Sequence, residues 1–158
     1  METVTNIKIA GLGGMGILKS SFILAEVLFR CGHDVKKAEV HGMSQRGGSV
    51  ASDIRFGKTV LSPMIPEGET DYLLLLAPRE FELYRDALRP DGRLLSSSTF
   101  DTVKLPHSRS LNIGMLGLLS RHLTVPLPLW QSVIREALPA QLHEVNLRAF
   151  DVGRNVES

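Results

Sequence analysis

A glycine-rich hexapeptide near the start of the chain is the feature that most constrains the fold. Residues 11–16 read GLGGMG and fit the pattern G-x-G-x-x-G. A run rich in β-branched residues, 4–10, precedes them, and a stretch with helical spacing, about 15–30, follows. Glycines here let the chain turn sharply from a strand into a helix, whose first N–H groups can then bind an anion. The sequence therefore predicts that the chain begins with a strand–turn–helix unit of an α/β domain.

The helix that follows this turn is apolar over much of its surface. One set of residues at helical spacing is predicted to face the core, and it consists of Leu18, Phe22, Ala25 and Phe29. A second set widens this stripe and consists of Ile17, Ser21, Leu24 and Leu28. The width of the apolar surface predicts that the helix is well buried, and Gly32 is a natural C-terminal stop.

Strand and helix signals alternate along the rest of the chain. Further strands are predicted at 35–41, 49–56, 71–77 and 93–97, and further helices after Pro78, at 111–122, at 129–138 and from 139 onward. The run 71–77 is nearly all apolar, which suits a central strand of a parallel sheet covered on both faces. A turn at Gly57-Lys58 into residues 59–61 predicts an antiparallel addition. We therefore expect one domain, residues 1–158: a three-layer α/β/α sandwich with a Rossmann-like, mostly parallel sheet, an antiparallel addition and a helical C-terminal third.

Composition and charge exclude several classes of function. A length of 158 residues matches one globular domain. Eighteen Lys and Arg against seventeen Asp and Glu leave a net charge of +1, which excludes a generic binder of polyanions such as nucleic acid. Cys31 is the only cysteine, so an internal disulfide and an iron–sulfur cluster of the chain's own are excluded, and a cytoplasmic location is expected. The longest apolar run, 72–77, is far shorter than the ~20 residues of a membrane span, and a signal peptide is not expected.

The stretch between the second and third predicted strands is the most unusual in the chain. Residues 39–50 read EVHGMSQRGGSV and mix polar side chains of several kinds with glycines. They follow the carboxyl end of a strand, where open α/β sheets bind ligands. His41 can exchange a proton near neutral pH, and Arg46 can pair with a phosphate or a carboxylate. Glu39 stands where a dinucleotide-binding fold holds a ribose.

The turn and the loop together supply the candidate residues for binding a cofactor. The turn supplies Gly11, Gly13, Gly14 and Gly16, and the loop supplies His41, Ser44, Gln45, Arg46, Gly47 and Gly48. In the loop, Ser44 and Gln45 can both donate and accept hydrogen bonds. The other four histidines lie in no recognisable metal-ligand spacing, so no metal site is expected.

The loop and the turn together resemble a known family. The run 41–48, HGMSQRGG, is the specific part, and with the glycine turn it is similar to the gamma subunit or gamma domain of 2-oxoacid:ferredoxin oxidoreductases, most of all the small subunit of indolepyruvate-type enzymes. The likeness extends over nearly the whole chain and includes residues 53–57, 61–63, 71–77, 112–117 and 146–150. Two departures stand out. Met15 occupies a position where the family has glutamine, and the segment 98–112 is shorter than usual.

The resemblance implies a subunit of a larger enzyme. Enzymes of this family oxidatively decarboxylate a 2-oxoacid on thiamine diphosphate, pass electrons through iron–sulfur clusters to ferredoxin and transfer the acyl group to coenzyme A. This chain would be the cofactor-free small subunit of a hetero-oligomer, with thiamine diphosphate and the clusters on a large partner chain and no catalytic residue of its own. An aryl pyruvate is the implied substrate. The resemblance also implies that the candidate residues help to seat coenzyme A, with Arg46 and Lys36 or Lys37 neutralising its phosphates.

Two other functions remain open at this point. A stand-alone dinucleotide-dependent oxidoreductase would use the glycine turn, although the chain after the second loop shows no clear catalytic pair. A non-catalytic module that binds a nucleotide or acts as a scaffold would fit Met15 and the shortened segment 98–112. Binding of NADH or NADPH to the pure protein would favour the first, and failure to assist a thiamine-dependent partner chain would favour the second.

Overall fold

The computed structural model describes residues 3–41 and 48–156. The strands in these residues are β1 Thr5–Leu12, β2 Asp34–His41, β3 Ser49–Gly57, β4 Thr70–Leu75 and β5 Leu88–Ser96. The α-helices are α1 Ile17–Arg30, α2 Phe81–Tyr84, α3 Leu111–Ser120, α4 Leu127–Ala137 and α5 His143–Asn155. Short 3-10 helices lie at Pro78–Glu80, Arg85–Ala87, Ser97–Asp101, Ser108–Ser110 and Ala140–Leu142. None of the helices in the described ranges has the length and apolar character needed to cross a bilayer.

The strands form one mixed sheet in the order β2-β3-β1-β4-β5. The pairs β1–β4 and β4–β5 are parallel, whereas β3 runs antiparallel to both of its neighbours, β1 and β2. Four strands therefore point one way and β3 points the other. Few residues separate β2 from β3 in the chain, and only an antiparallel pair can be joined by so short a connection. The predicted α/β class is confirmed, with a Rossmann-like arrangement interrupted by one reversed strand.

The antiparallel pair does not lie at the Gly57-Lys58 turn, where the sequence predicted it. Residues 59–61 form no strand. Instead, Val60 is buried and its N–H donates to Asp34 Oδ2 at 2.8 Å, which ties the segment to the start of β2. The hairpin is β2–β3, in which Val35 lies opposite Phe56. The sequence identified a reversed strand but assigned it the wrong partner.

One face of the sheet carries most of the core. Side chains from β1, β3, β4 and β5 meet α1, α3, α4 and α5 in a single apolar cluster. Trp130 of α4 and Phe150 of α5 are fully buried, and their ring centroids lie 5.3 Å apart. The predicted helical C-terminal third is confirmed, and Trp130 anchors its packing against the sheet.

Glycines allow α3 and α5 to cross at very short range. A Cβ on Gly117 would lie 2.1 Å from the carbonyl oxygen of Phe150, and a Cβ on Gly153 would lie 2.0 Å from that of Gly114. These distances are far inside van der Waals contact. No residue with a side chain fits at either position without moving a backbone.

The opposite face of the sheet is covered thinly. Small and branched residues of three strands, Ala10, Ala51, Leu73 and Leu75, pack here against Phe81, Tyr84 and Leu88. On the same face Lys8 and the buried Asp53 form an ion pair at 2.6 Å, and Asp53 also accepts the N–H of Ile65 at 3.1 Å. The third layer of the sandwich is therefore the short α2 with its flanking turns and the loop from residue 58 to 69.

The orientation of α1 differs from the expectation. The second predicted set, Ile17, Ser21, Leu24 and Leu28, is buried, whereas Leu18, Phe22 and Phe29 of the first set are 40%, 49% and 66% exposed. The buried residues are Ile17, Ser20, Ser21, Ile23, Leu24, Val27 and Leu28. The helix is apolar on more than half of its circumference, so spacing by itself cannot decide which side meets the sheet. An apolar stripe of α1 is thus largely exposed in the part of the chain that the structure describes.

Candidate functional site

The glycine turn lies at the carboxyl end of β1, as the sequence predicts. Gly14 and Gly16 adopt φ angles of 89° and 76°, in the left-handed region that side chains disfavour. The N–H of Gly13 donates to the carbonyl of Gly48 at 2.9 Å. The turn is therefore joined to the residue that leads into β3, and two of the predicted segments meet at one edge of the sheet.

The N-termini of two helical segments lie at this edge. Gly16 is the N-cap of α1, and no side chain caps it. The helix α3 follows directly on the 3-10 helix Ser108–Ser110, which is capped by His107, because its Nδ1 accepts the N–H of Arg109 at 3.0 Å. Neither α1 nor α3 has an acidic residue in its first turn. The N-terminus of α1 offers unpaired N–H groups, and both helices direct the positive ends of their dipoles to this edge. Both features favour an anion.

Asn112 holds the two helix ends together. Its Nδ2 donates to the carbonyl oxygen of Gly16 at 3.2 Å. A Cβ on Gly16 would lie 2.5 Å from the same Nδ2, so the contact requires glycine for its space as well as for its φ angle. The spacing between the glycine turn and α3 therefore depends on this pair.

A cavity of about 400 Å³ lies between the two helix ends. It is lined by Gly14, Met15, Gly16, Ser108, Arg109, Leu111 and Asn112. Arg109 is the only charged residue in this described lining, and it is exposed. A guanidinium beside two helix N-termini is suited to a phosphate, because each supplies donors and positive charge.

A second cavity of about 360 Å³ lies on the other side of the turn. It shares Gly14 and Gly16 with the first. The rest of its lining is mostly apolar and consists of Leu12, Gly13, Ile17, Leu18, Lys19 and Val50. A cavity of mixed polarity and an apolar cavity thus adjoin the same glycines. The pair suits a ligand that carries an anionic group next to an apolar part.

Met15 folds back onto the turn. Its Sδ accepts the N–H of Leu12 at 3.4 Å, and the side chain packs against the main core. A thioether accepts a weak hydrogen bond but cannot donate one. The amide donor that the family resemblance implies at this position is absent, so donors to a ligand here must come from the backbone or from neighbouring side chains.

The predicted binding residues divide into two groups. Gly11, Gly13, Gly14, Gly16 and Gly48 lie together at the carboxyl end of β1. Ser44, Gln45, Arg46 and Gly47 lie outside the described residues, and of His41 only the backbone is described, at the end of β2 opposite Val50. Gly48 therefore borders the glycine turn, whereas His41 lies two strand spacings, about 10 Å, to the side of β1.

The structure places Lys36 and Lys37 away from the glycine turn. Lys37 lies opposite Ile54, which lies opposite Ile7, so Lys37 is five residues, or about 16 Å, short of the end of β1. Lys36 and Lys37 are instead paired with Asp34 and Glu39, at 2.8 Å and 3.2 Å. They cannot neutralise an anion at the turn.

Glu39 is also misplaced for holding a ribose. A dinucleotide fold places that acidic residue on the strand next to β1. Here β3 lies between β1 and β2, so Glu39 is two strand spacings, about 10 Å, to the side of β1. This geometry counts against the stand-alone dinucleotide enzyme.

Sequence reasoning missed Ser108, Arg109 and Asn112 as site residues. Asn112 and Gly16 are 96 residues apart, and no spacing rule connects positions at that distance. The available signal was the similarity of residues 112–117 to the family, which marked the segment without giving Asn112 a role.

The residues of this chain do not fit an iron–sulfur cluster, because Cys31 is the only cysteine. Across residues 3–41 and 48–156, no three His, Cys, Asp or Glu side chains are grouped to hold a metal ion. The described residues therefore offer no set of ligands for an iron–sulfur cluster.

The chain is similar in sequence and in fold to known proteins. The family described as pyruvate ferredoxin/flavodoxin oxidoreductase matches residues 6–156. The chain belongs to this family. Indolepyruvate oxidoreductase subunit IorB of Thermococcus kodakarensis is 32% identical, over 94% of this chain and 93% of the relative. That alignment extends over 188 residues, so the relative carries residues that this chain lacks.

Two solved structures share the fold of this oxidoreductase family member. The keto/oxoacid ferredoxin oxidoreductase gamma subunit from Geobacter sulfurreducens superposes with a TM-score of 0.75 at 19% identity, covering 98% of this chain and 96% of that chain. The 2-oxoglutarate:ferredoxin oxidoreductase from Magnetococcus marinus, with 2-oxoglutarate, coenzyme A and succinyl-CoA bound, gives 0.78 at 21% identity. This chain is covered to 99% there but matches only 31% of the longer chain. The chain is thus a small-subunit member of the family, and the expected family and fold are both confirmed.

Proposed function

We propose that this chain is the cofactor-free small subunit of a thiamine-diphosphate-dependent 2-oxoacid:ferredoxin oxidoreductase that acts on an aryl pyruvate. The proposal is supported by the IorB relative, which is similar over almost its whole length. A large partner chain would hold thiamine diphosphate and the iron–sulfur clusters, since one cysteine cannot ligate a cluster. The single domain of residues 1–158 would then serve the complex in the cytoplasm, where a lone cysteine stays reduced.

Within that complex the chain would help to seat coenzyme A. The observation that carries this proposal is the uncapped N-terminus of α1, joined to the start of α3 through Gly16 and Asn112, with the exposed Arg109 beside them. Coenzyme A combines phosphate groups with a long, largely uncharged arm. The cavity beside Arg109 suits a phosphate, and the adjoining apolar cavity suits part of the arm. Coenzyme A is also the ligand in the Magnetococcus marinus structure that shares this fold.

The loop between β2 and β3 would complete the site. Gly48 is bonded to Gly13, so the loop rejoins the sheet beside the glycine turn. Arg46 would add a second cation to Arg109, and His41, Ser44 and Gln45 would supply further hydrogen bonds.

The test is steady-state kinetics of the complex assembled with its large subunit. Arg109→Ala and Arg46→Ala should each raise KM for coenzyme A about 10-fold or more, since a charged hydrogen bond contributes ~1.5–3 kcal/mol. The KM for the oxoacid and the mass of the complex should not change. Arg135→Ala is the matched control, because Arg135 is an exposed arginine of α4 outside both cavities.

Two results would contradict the assignment. An unchanged KM for coenzyme A in both arginine variants would remove this chain from the coenzyme A site while leaving its role as a subunit. Tight binding of NADH by the pure chain, with no effect on a thiamine-dependent partner, would overturn the subunit role itself.

A further inference from the structure

A further cavity, of about 250 Å³, lies at the end of the sheet opposite the glycine turn. Its walls come from the starts of β1 and β4, the end of β3 and the segments that follow α1 and α3. The polar part of its lining includes Thr5, His33, Tyr72 and His122, and the apolar part includes the buried Leu28 and Val125. It shares no residue with the two cavities at the glycine turn. This space is called the amino-end cavity below.

Two imidazole rings line the amino-end cavity from different elements. His33 follows α1 and lies edge-on to Phe56 of β3, with the ring centroids 5.0 Å apart. His122 follows α3 and lies against Tyr72 of β4, with the ring centroids 5.6 Å apart. Neither imidazole has a hydrogen-bond partner in the part of the chain that the structure describes. Ring contacts therefore hold both histidines, and their nitrogens are left for a ligand.

Positive charge lies close to one of these histidines. Burial lowers the pKa of His122, and the nearby charges of Arg93 and Arg121 lower it further. Arg121 donates to the carbonyl oxygen of Val156. Neither arginine forms an ion pair with a carboxylate among the described residues. A neutral imidazole thus lies beside two cations whose charge no acidic side chain balances directly.

A smaller cavity of about 180 Å³ adjoins the amino-end cavity and shares two lining residues with it. Arg93 lies in the lining of this smaller cavity. The carboxylates of Asp71 and Asp91 lie there too, but both are bonded to Arg89, at 2.8 Å and 3.0 Å. Arg93 is therefore the charged group of this lining that remains for a ligand.

These surroundings favour one chemical class of ligand. A metal ion is disfavoured, because the two arginines repel cations and the described residues contain no group of three ligating side chains. A carboxylate is favoured, since it can accept from an imidazole N–H and pair with a guanidinium. The buried Leu28 and Val125 favour an apolar group next to that carboxylate. Sites for drug-sized ligands measure roughly 300–1,000 Å³, so this cavity suits a smaller molecule.

We propose that the amino-end cavity binds a small organic acid, with its carboxylate at His122 and Arg93 and its apolar part against Leu28 and Val125. The site lies at the other end of the sheet from the proposed coenzyme A site and does not depend on it.

Binding should be linked to a proton. A bound carboxylate favours the charged form of His122, so it raises the pKa of that imidazole and a proton is taken up. The other groups near His122 are the ring of Tyr72 and the two arginines, which keep their charge throughout this pH range. Affinity is therefore highest at pH values below the titration of His122 in the free chain. It falls as the pH rises through the higher pKa of the complex.

The first test is calorimetric titration of the full chain with phenylacetate, which should bind with a dissociation constant of about 1 mM or lower. Phenylacetamide replaces the carboxylate by an uncharged amide, and acetate lacks the ring. Each should bind about 10-fold more weakly or worse. His122→Asn should raise the dissociation constant of phenylacetate about 10-fold, and Arg93→Gln about 3-fold or more. Arg148→Gln is the control, because Arg148 is an exposed arginine of α5 outside both cavities.

The second test locates the ligand by nuclear magnetic resonance of the histidine side chains. Phenylacetate should shift the ring ¹⁵N resonances of His33 and His122 and raise the pKa of His122. The resonances of His107 and His143 should stay in place. His107 is the important comparison, since its Nδ1 accepts the N–H of Arg109 beside the glycine turn.

Three results would overturn the proposal. One is the absence of saturable binding of phenylacetate up to about 10 mM. Another is equal affinity for acetate or phenylacetamide. The third is loss of binding in Arg109→Ala but not in Arg93→Gln, which would place the carboxylate at the glycine turn. Because Arg93 is exposed, its substitution tests the site even if His122→Asn lowers stability. None of these results bears on coenzyme A kinetics, so the two proposals can fail separately.

Discussion

Glycines occur in two regions of this chain for different physical reasons. In the α3–α5 crossing, Gly117 and Gly153 are required because another backbone occupies the space of a side chain. In the turn after β1, Gly14 is required for its φ angle of 89°, although a Cβ there would meet nothing within 4 Å. The first region needs glycine for close packing, and the second needs it for the backbone conformation. A glycine in a buried contact therefore reflects a packing requirement, whereas an open glycine with positive φ reflects a requirement on the backbone conformation alone.

Substitution in the crossing should have the largest effect. Gly117→Ala and Gly153→Ala should each lower the free energy of unfolding by about 3 kcal/mol or more, because the added methyl group overlaps a carbonyl oxygen. Urea denaturation followed by circular dichroism measures this. Ser132→Ala, at an exposed position of α4, is the control and should change stability by less than ~0.5 kcal/mol.

Whether these substitutions lower or raise the free energy of unfolding shows how closely α3 and α5 approach. Replacing an unconstrained helical glycine by alanine stabilises a helix by about 1 kcal/mol. A stability gain in Gly117→Ala or Gly153→Ala would mean that α3 and α5 do not approach as closely as described.

Gly16 is constrained both by packing and by its backbone conformation. Its substitution should have the second-largest effect on stability. Its φ angle is 76°, and a Cβ would lie 2.5 Å from Asn112 Nδ2. Gly16→Ala should cost about 2–3 kcal/mol, of which ~1–2 kcal/mol is the left-handed conformation and the rest is displacement of Asn112. The same variant should raise KM for coenzyme A in the complex. Asn112→Ala provides the comparison, since it removes the bond to Gly16 without straining the turn.

The smallest effect on stability is expected at Gly14. Comparison of Gly14 with Gly32 separates the cost of the backbone conformation from the effect on ligand binding. Gly14→Ala and Gly32→Ala should each cost about 1–2 kcal/mol, because both glycines have positive φ and open surroundings. Thermal unfolding should not distinguish the two variants. Only Gly14→Ala should raise KM for coenzyme A, by about 3–10-fold, since it adds a methyl group at the rim of both cavities. Equal kinetics for the two variants would mean that the turn serves the fold only.

Local sequence patterns were sufficient to predict the elements around the first glycines. A β-branched run, a glycine turn and an apolar helix each depend on neighbouring residues, and the structure places all three as expected. The reversed strand was foreseen, but its partner was not, because pairing depends on register and loop length rather than on composition.

Longer-range features could not be predicted in the same way. The side of α1 that meets the sheet is set by the competing apolar surfaces of the helix, and both sets of its residues have helical spacing. Arg109 and Asn112 join the glycine turn only because α3 packs beside α1. Such contacts between distant residues are fixed by the tertiary structure.

The position of β1 has a consequence for how the chain folds during synthesis. β1 is made first, yet it occupies the centre of the sheet, and its neighbours β3 and β4 end at Gly57 and Leu75. The nascent strand therefore has no partner until more than half of the sheet sequence has left the ribosome. The β2–β3 hairpin is local and can form rapidly, whereas the β1–β4 pair joins residues about 65 apart and must form late. Ile7 and Ile9, which are fully buried in the folded chain, stay uncovered during that interval, so β1 is open to non-native apolar contacts until its neighbours pair with it.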